Sequence, residues 1–220
     1  MMDFGGFIEY TLEVAQSEAP VRVLQDSAGT ARCGVGSTVW DAGLVLAKYL
    51  ERRTAEGLDL AGKTVLELGA GTGIVGIALA RMQPQCRVVV TDKPELLPLL
   101  RRNIELSRVA NARAECLDWT REEPLGAAPD MVLVSDGIWD RGLHGPLAST
   151  LARVASGAQT TTLLAYETRE FAAEAEFMAL WSRDFRFHDI KPAQQHPVMQ
   201  SEDIWLFEAH LKAPPPPPPV

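Results

Sequence analysis

The stretch Glu67-Leu68-Gly69-Ala70-Gly71-Thr72-Gly73-Ile74-Val75-Gly76 constrains this chain more than any other part of it. Residues 64–68 form an apolar run of strand length. A glycine-rich turn follows at once, then a segment of helical composition at 73–82, then a second apolar run at 87–91 that closes on Asp92. Strand, glycine turn, helix and second strand ending in an acid is the unit that binds nucleoside-bearing ligands in open α/β sheets. Glycine lets the backbone come close to the ligand, and the acid accepts hydrogen bonds from ribose hydroxyls. A nucleoside cofactor is expected, with Asp92 at its ribose. The other reading of Asp92, a helix N-cap ahead of Pro94, is compatible with that role.

Two fingerprints overlap here. Residues 71–76 satisfy G-x-G-x-x-G, the dinucleotide pattern, while residues 67–73 satisfy E-x-G-x-G-x-G, which resembles the first motif of S-adenosyl-L-methionine-dependent methyltransferases. The surrounding chain decides between them. Dinucleotide domains often open with the motif, yet here it begins only at Glu67. The chain ends at residue 220, which leaves too little after Asp136 for a separate substrate domain. S-adenosyl-L-methionine is the expected cofactor.

A chain of 220 residues with 46% hydrophobic and 23% charged content suits one soluble domain with a large core. Its net charge of −8 argues against a nucleic-acid partner, since phosphate binding needs a basic face. The adjacent pairs Arg52-Arg53 and Arg101-Arg102 read as solvated helix surface. Cys33, Cys86 and Cys116 have neither C-x-x-C spacing nor the look of a disulfide framework, so they read as incidental thiols in a reducing compartment. The first residues lack a signal-peptide pattern, and no run reaches the ~18 apolar residues of a membrane span. A cytoplasmic, monomeric protein without a membrane partner is expected.

Along the chain, 7–14 and 21–25 are β-prone and read as an added N-terminal hairpin. Residues 38–53 carry apolar side chains at helical spacing. Strands at 64–68, 87–91, 112–117, 130–135 and 160–166 then alternate with helices at 73–82, 94–108, 143–155 and 170–183, the third strand being followed by a loop. Runs at 186–190 and 204–211 close the chain. Alternation implies a parallel sheet covered on both faces. The last two runs are joined without a helix and should pair antiparallel. The fold class is therefore α/β: a seven-stranded, mostly parallel, Rossmann-like methyltransferase sheet with an antiparallel C-terminal strand. Residues 1–38 are its β extension, 39–212 the methyltransferase domain, and 213–220 a proline-rich tail that reads as polyproline II.

Methyl transfer is an in-line displacement that needs alignment and a dry site more than acid–base groups. The chain has no metal-binding or nucleophile-elbow motif, and His144, His188, His196 and His210 read as surface or loop residues. Leu117-Asp118-Trp119 ends the third strand where an adenine could rest on Trp119, a plain core tryptophan being the alternative. Asp136, at the end of the fourth strand beside the topological switch point, is placed to receive a cationic side chain against Trp139. Its alternative is a turn cap.

Val39-Trp40-Asp41-Ala42, the helix through Glu51, the glycine turn, Val90-Thr91-Asp92, Leu117-Asp118-Trp119, Tyr166-Glu167-Thr168-Arg169 and Ser201-Glu202-Asp203-Ile204 make the chain similar to a known family. From about residue 21 to 212 it resembles the seven-β-strand protein-lysine methyltransferases of the methyltransferase-like group, most closely the branch acting on valosin-containing protein. The resemblance implies that Trp40, Glu67, Gly69, Ala70, Gly71, Asp92, Trp119 and Ser135 bind S-adenosyl-L-methionine. It implies that Asp136 opens a D-x-x-Y-type motif beside the target lysine. The chain departs there, with Trp139 in place of the tyrosine, which keeps an apolar wall and removes a phenol hydroxyl. The implied partner is a folded protein, valosin-containing protein (a hexameric ATPase) leading. Methylation of small molecules or of another residue type, and a non-catalytic cofactor-binding module, are the competing readings.

Overall fold

The computed structural model describes residues 4–26, 34–121, 126–155 and 159–213; Cys33 and the 214–219 proline run lie outside them. In chain order the elements are β1 (Ile8–Leu12), β2 (Val21–Gln25), α1 (Asp41–Ala55), β3 (Thr64–Leu68), α2 (Ile74–Met82), β4 (Arg87–Asp92), α3 (Leu97–Ser107) and β5 (Ala112–Cys116). They continue with β6 (Met131–Ser135), α4 (Arg141–Val154), β7 (Thr161–Glu167), α5 (Phe171–Asp184), β8 (Phe185–Asp189) and β9 (Ile204–Leu211).

β1 and β2 form the expected antiparallel hairpin, and the other strands form one sheet in the order β5-β4-β3-β6-β7-β9-β8. β5 through β7 pair in parallel, while β9 runs antiparallel to both β7 and β8. Helices bury both faces, and this explains the unbroken apolar runs in the strands. On β6, Met131 and Leu133 face the core shared with α1 and α2, while Val132 and Val134 face the core of α4 and α5. The chain lays β4 and β5 on one flank of β3, then returns to lay β6 on the other. That reversal leaves a crevice beyond the C-terminal ends of β3 and β6, where sheets of this kind bind ligands.

Three local features differ from the sequence reading. α3 starts at Leu97 because Pro98 has no N–H to give, so it must occupy the first turn. α1 starts at Asp41, since a 3₁₀ turn (Gly34–Ser37) precedes it and Trp40 is extended at its N-cap. His144, expected at the surface, is buried: its Nε2 lies 2.9 Å from the Ile138 carbonyl oxygen, and its ring meets Phe177 edge-on. It helps hold the start of α4 to the loop after β6. Burial pushes the Cys86 thiol up to about 11, which keeps it protonated and unreactive.

The hairpin is bound to the domain by α3 acting as a neighbouring strand. Ser107 Oγ accepts from Arg22 N (3.0 Å) and donates to Arg22 O (2.6 Å). One turn earlier, Asn103 Oδ1 accepts from Leu24 N (2.7 Å), and Nδ2 donates to Leu24 O (3.1 Å) and Thr72 O (2.8 Å). A four-residue step on the helix thus matches a two-residue step on the strand, and the open edge of β2 is satisfied. Asn103 is fully buried and also reaches the glycine turn. Asn103→Ala strands several buried backbone groups, so it should cost about 2–4 kcal/mol in stability. Urea denaturation of the two proteins checks this, and a loss below about 1 kcal/mol would contradict it.

Candidate active site

A cavity of about 630 Å³ opens in the crevice, within the ~300–1,000 Å³ of small-molecule sites. Its floor is the turn after β3. Gly69 and Gly71 hold φ of +65° and +57°, in the left-handed region that favours glycine. Space demands glycine as well. A Cβ on Gly69 would fall 2.7 Å from Trp119 Cζ2, and one on Gly71 would fall 2.6 Å from the Gly36 carbonyl oxygen. The turn is therefore pressed between the indole of Trp119 on one side and the 3₁₀ turn ahead of α1 on the other.

Asp92 sits at the end of β4 with Oδ2 accepting from Gly71 N and Oδ1 from Lys93 N, both at 2.8 Å. It does not cap α3, whose N-cap is Leu96. Two of the roughly four lone-pair positions of a carboxylate are used, and the rest remain for vicinal hydroxyls. Burial raises its pKa against the pull of those two N–H groups. Trp119 lines the cavity beside Asp118 and Leu117. Its ring lies between Gly69 and Gly137, where a Cβ would come within 3.3 Å of Cη2. It gives the cavity, which Asp92 also lines, a flat apolar wall.

Trp40 closes the other side, with Nε1 donating to Val35 O at 3.0 Å. Ala70, Gly71 and Ser135 line the same cavity. Glu67 does not, contrary to its expected place beside the cofactor. It lies behind the turn, 1% exposed, with Oε2 accepting from Gly76 N at 2.8 Å, so it fixes the start of α2. Burial drives its pKa up to about 8, against the Gly76 hydrogen bond.

Asp136 has a left-handed backbone (φ +54°), rare for a residue with a Cβ and common where a functional site stores strain. Its N–H donates to Ala165 O at 2.8 Å, which ties the loop after β6 to β7. The carboxylate was expected to be free for a substrate cation. Instead Arg169 grips it, Nη1 to Oδ1 at 2.8 Å and Nη2 to Oδ2 at 2.7 Å, and Glu167 N donates to Oδ1 at 3.2 Å. The turn-cap reading falls to Asp140, whose Oδ1 accepts from Gly142 N at the start of α4. Trp139 stands at the rim, 56% exposed. Arg169 is the site residue the sequence reading missed. A cue existed: β7 was expected to end at Tyr166 beside the switch point, so the next residues had to reach the same edge.

Two measurements test this arrangement. Glu67 binds its proton more tightly folded than unfolded, so its stabilising share is complete below about pH 4.5 and is lost as pH rises toward about 8. Glu67→Gln, which keeps an acceptor for Gly76 N–H and cannot ionise, should flatten the fall in melting temperature between those limits. An unchanged slope would exclude Glu67 as its source. Asp92→Ala should weaken S-adenosylhomocysteine binding at least about tenfold, because hydrogen bonds to a carboxylate are worth about 1.5–3 kcal/mol each. Calorimetric titration, with circular dichroism to confirm folding, reads the change; equal affinity would mean that Asp92 only braces the turn.

The family model described as lysine methyltransferase matches residues 18–184. Protein N-lysine methyltransferase METTL21A of Xenopus tropicalis is 30% identical over 186 residues, spanning 81% of this chain and 79% of its own. EEF1A lysine methyltransferase 3 of Mus musculus is 32% identical over 187 residues, spanning 76% and 78%. A SAM dependent methyltransferase from Aquifex aeolicus superposes with a TM-score of 0.57 at 14% identity, over 75% of this chain and 90% of that one, a likeness of fold. The chain belongs to the lysine methyltransferase family, and its cofactor is S-adenosyl-L-methionine.

Proposed function

We propose that this chain methylates the side-chain amine of a lysine on a folded protein, with valosin-containing protein or a related ATPase or chaperone as its substrate. The observation that carries the reading is one continuous cavity. Asp92 and Trp119, suited to a ribose and an adenine, line it together with the aromatic pair Trp40 and Trp139 and the carboxylate of Asp136. The protein acts in the cytoplasm as a monomer, with 39–212 as the catalytic domain. Among the described residues, no helix is long and apolar enough to cross a membrane.

Bound S-adenosyl-L-methionine supplies an electrophilic methyl on a positively charged sulfur. Asp92 would hold its ribose hydroxyls and Trp119 its base, while Trp40, Ala70, Gly71 and Ser135 would enclose it. The backbone of residues 69–71 approaches closely because it carries no bulky side chain. Trp40 and Trp139 would guide the aliphatic stem of a lysine and keep water from the reacting centre. Positive charge develops on the amine as the new bond forms, and Asp136 is the negative group placed to face it. Trp139 stands where the resembled family has a tyrosine, so it offers an apolar wall without a phenol hydroxyl.

A second substrate has a specific observation behind it: relatives at about a third identity are named for EEF1A. The test is incubation with radiolabelled S-adenosyl-L-methionine and purified valosin-containing protein, EEF1A or cell lysate, followed by mass spectrometry of the labelled protein. A methylated lysine on valosin-containing protein supports the reading. Label on EEF1A alone moves the substrate, label on small molecules alone overturns the protein target, and no label with intact cofactor binding overturns the enzyme. In the same assay Asp136→Ala should keep S-adenosylhomocysteine affinity within a few-fold and lose about 10²–10³ in turnover. It removes the carboxylate and leaves the Arg169 cation facing the amine. Activity above about a third of wild type would reduce Asp136 to a structural residue.

A further inference from the structure

Arg169 occupies the place where a substrate cation was expected, and several contacts hold it there. Its backbone N–H donates to Glu174 Oε1 at 2.7 Å, which pins its backbone to α5. Both guanidinium Nη atoms bond Asp136, and Nη2 also reaches Glu167 Oε2 at 2.6 Å. The guanidinium carbon lies 5.2 Å from the centre of the Trp40 ring, within cation–π range. A planar fork bonded edge-on to a carboxylate and laid over an indole is a geometry that arginine satisfies and lysine does not. The clamp joins three segments that are distant in sequence: the N-cap of α1, the loop after β6 and the end of β7.

We propose that Arg169 is the specificity-determining residue of the mouth: by clamping Asp136 it offsets that carboxylate, so the substrate lysine is not held there as an ammonium ion. The inference rests on the reading that the lysine enters beside Asp136. The amine attacks through its lone pair, so its proton must first pass to solvent. The nitrogen then forms the new N–C bond as the C–S bond breaks, sulfur keeps that electron pair, and the positive charge moves to nitrogen. A free carboxylate at the mouth would stabilise the protonated, unreactive form. With Arg169 present, Asp136 and Glu167 carry one net negative charge between the three groups. Without it they carry two. Asp92, Asp118 and Lys93 also line the cavity, while Glu174 accepts from backbone N–H groups of Arg169 and Glu170. Removing the Arg169 cation paired with Asp136 therefore shifts the balance toward the ammonium.

The test compares wild type with Arg169→Met, Arg169→Lys and Asp136→Asn/Arg169→Met. The first probe is n-butylamine, the end of a lysine side chain, titrated by calorimetry at pH 7 into enzyme saturated with S-adenosylhomocysteine. Arg169→Met should bind the butylammonium ion about tenfold tighter than wild type, and the double variant should lose that gain. Equal binding by wild type and Arg169→Met overturns the proposal. If the Met variant fails to fold by circular dichroism, Arg169→Gln carries the same expectation. The second readout is turnover against pH, whose acid limb reports the enzyme–substrate complex. It should move up by about one pH unit in Arg169→Met, the same tenfold, and stay in place in Arg169→Lys, which keeps the charge. An unmoved limb in Arg169→Met also overturns the proposal. Absence of methylation by wild type would defeat the proposed function, and the butylamine titration alone would then decide the role of Arg169.

Discussion

The close packing of the glycine turn after β3 against the Gly36 backbone and the Trp119 indole is the constraint on which the pocket depends. The turn at Gly69–Gly71 lies against Trp119 on one side and against the Gly36 carbonyl on the other, with no room for a Cβ at either glycine. Asp92 fastens this turn from the next strand through Gly71 N–H, and Asn103 fastens it from α3 through Thr72 O. Asn103 carries the N-terminal hairpin on the same amide group, so the hairpin, the third helix and the glycine turn form one hydrogen-bonded unit. The carboxylate expected to hold the ribose is also a brace of the backbone on which the cofactor would rest.

Opposite that unit stands a second wall made by charge. Asp136 has an unfavourable backbone conformation, which only a well-determined surrounding can maintain. The bond from its N–H to Ala165 O and the Arg169 fork supply that surrounding. The two walls differ in kind. The wall at the glycine turn is shaped by the absence of side chains, and the wall at Asp136 by an arginine that pairs with two carboxylates over an indole face.

Much of the fold was legible because its signals are local. Residues 131–134 are apolar throughout since both faces of β6 are covered, and the 64–92 segment announces its strand, turn, helix and strand in order. The hairpin of β8 and β9 followed from a connection without helical periodicity. Legibility failed where a residue's partner is far away in the chain or on the hidden side of a turn. Glu67 belongs to the glycine motif by spacing, yet its side chain points behind the turn to Gly76 N–H. His144 is polar and looks superficial, yet a carbonyl six residues earlier lets it be buried. Pro98 set the start of α3 by a rule visible in the sequence, but Pro94 gave the more obvious signal.

The sequence by itself determined the class of sheet, the glycine turn, the acid at the end of the second core strand and the aromatic residues around the cavity. Each of these follows from backbone periodicity, missing side chains or a position at a strand end, all properties of neighbouring residues. Only the tertiary structure decided what faces Asp136. Arg169 comes from the end of β7 and Trp40 from the head of α1, and no periodicity relates them to the loop after β6. Their meeting is a consequence of strand order, because β7 lies beside β6 and α1 packs over it. A charge can be read from a sequence, but whether it is free or paired depends on which elements the fold makes neighbours.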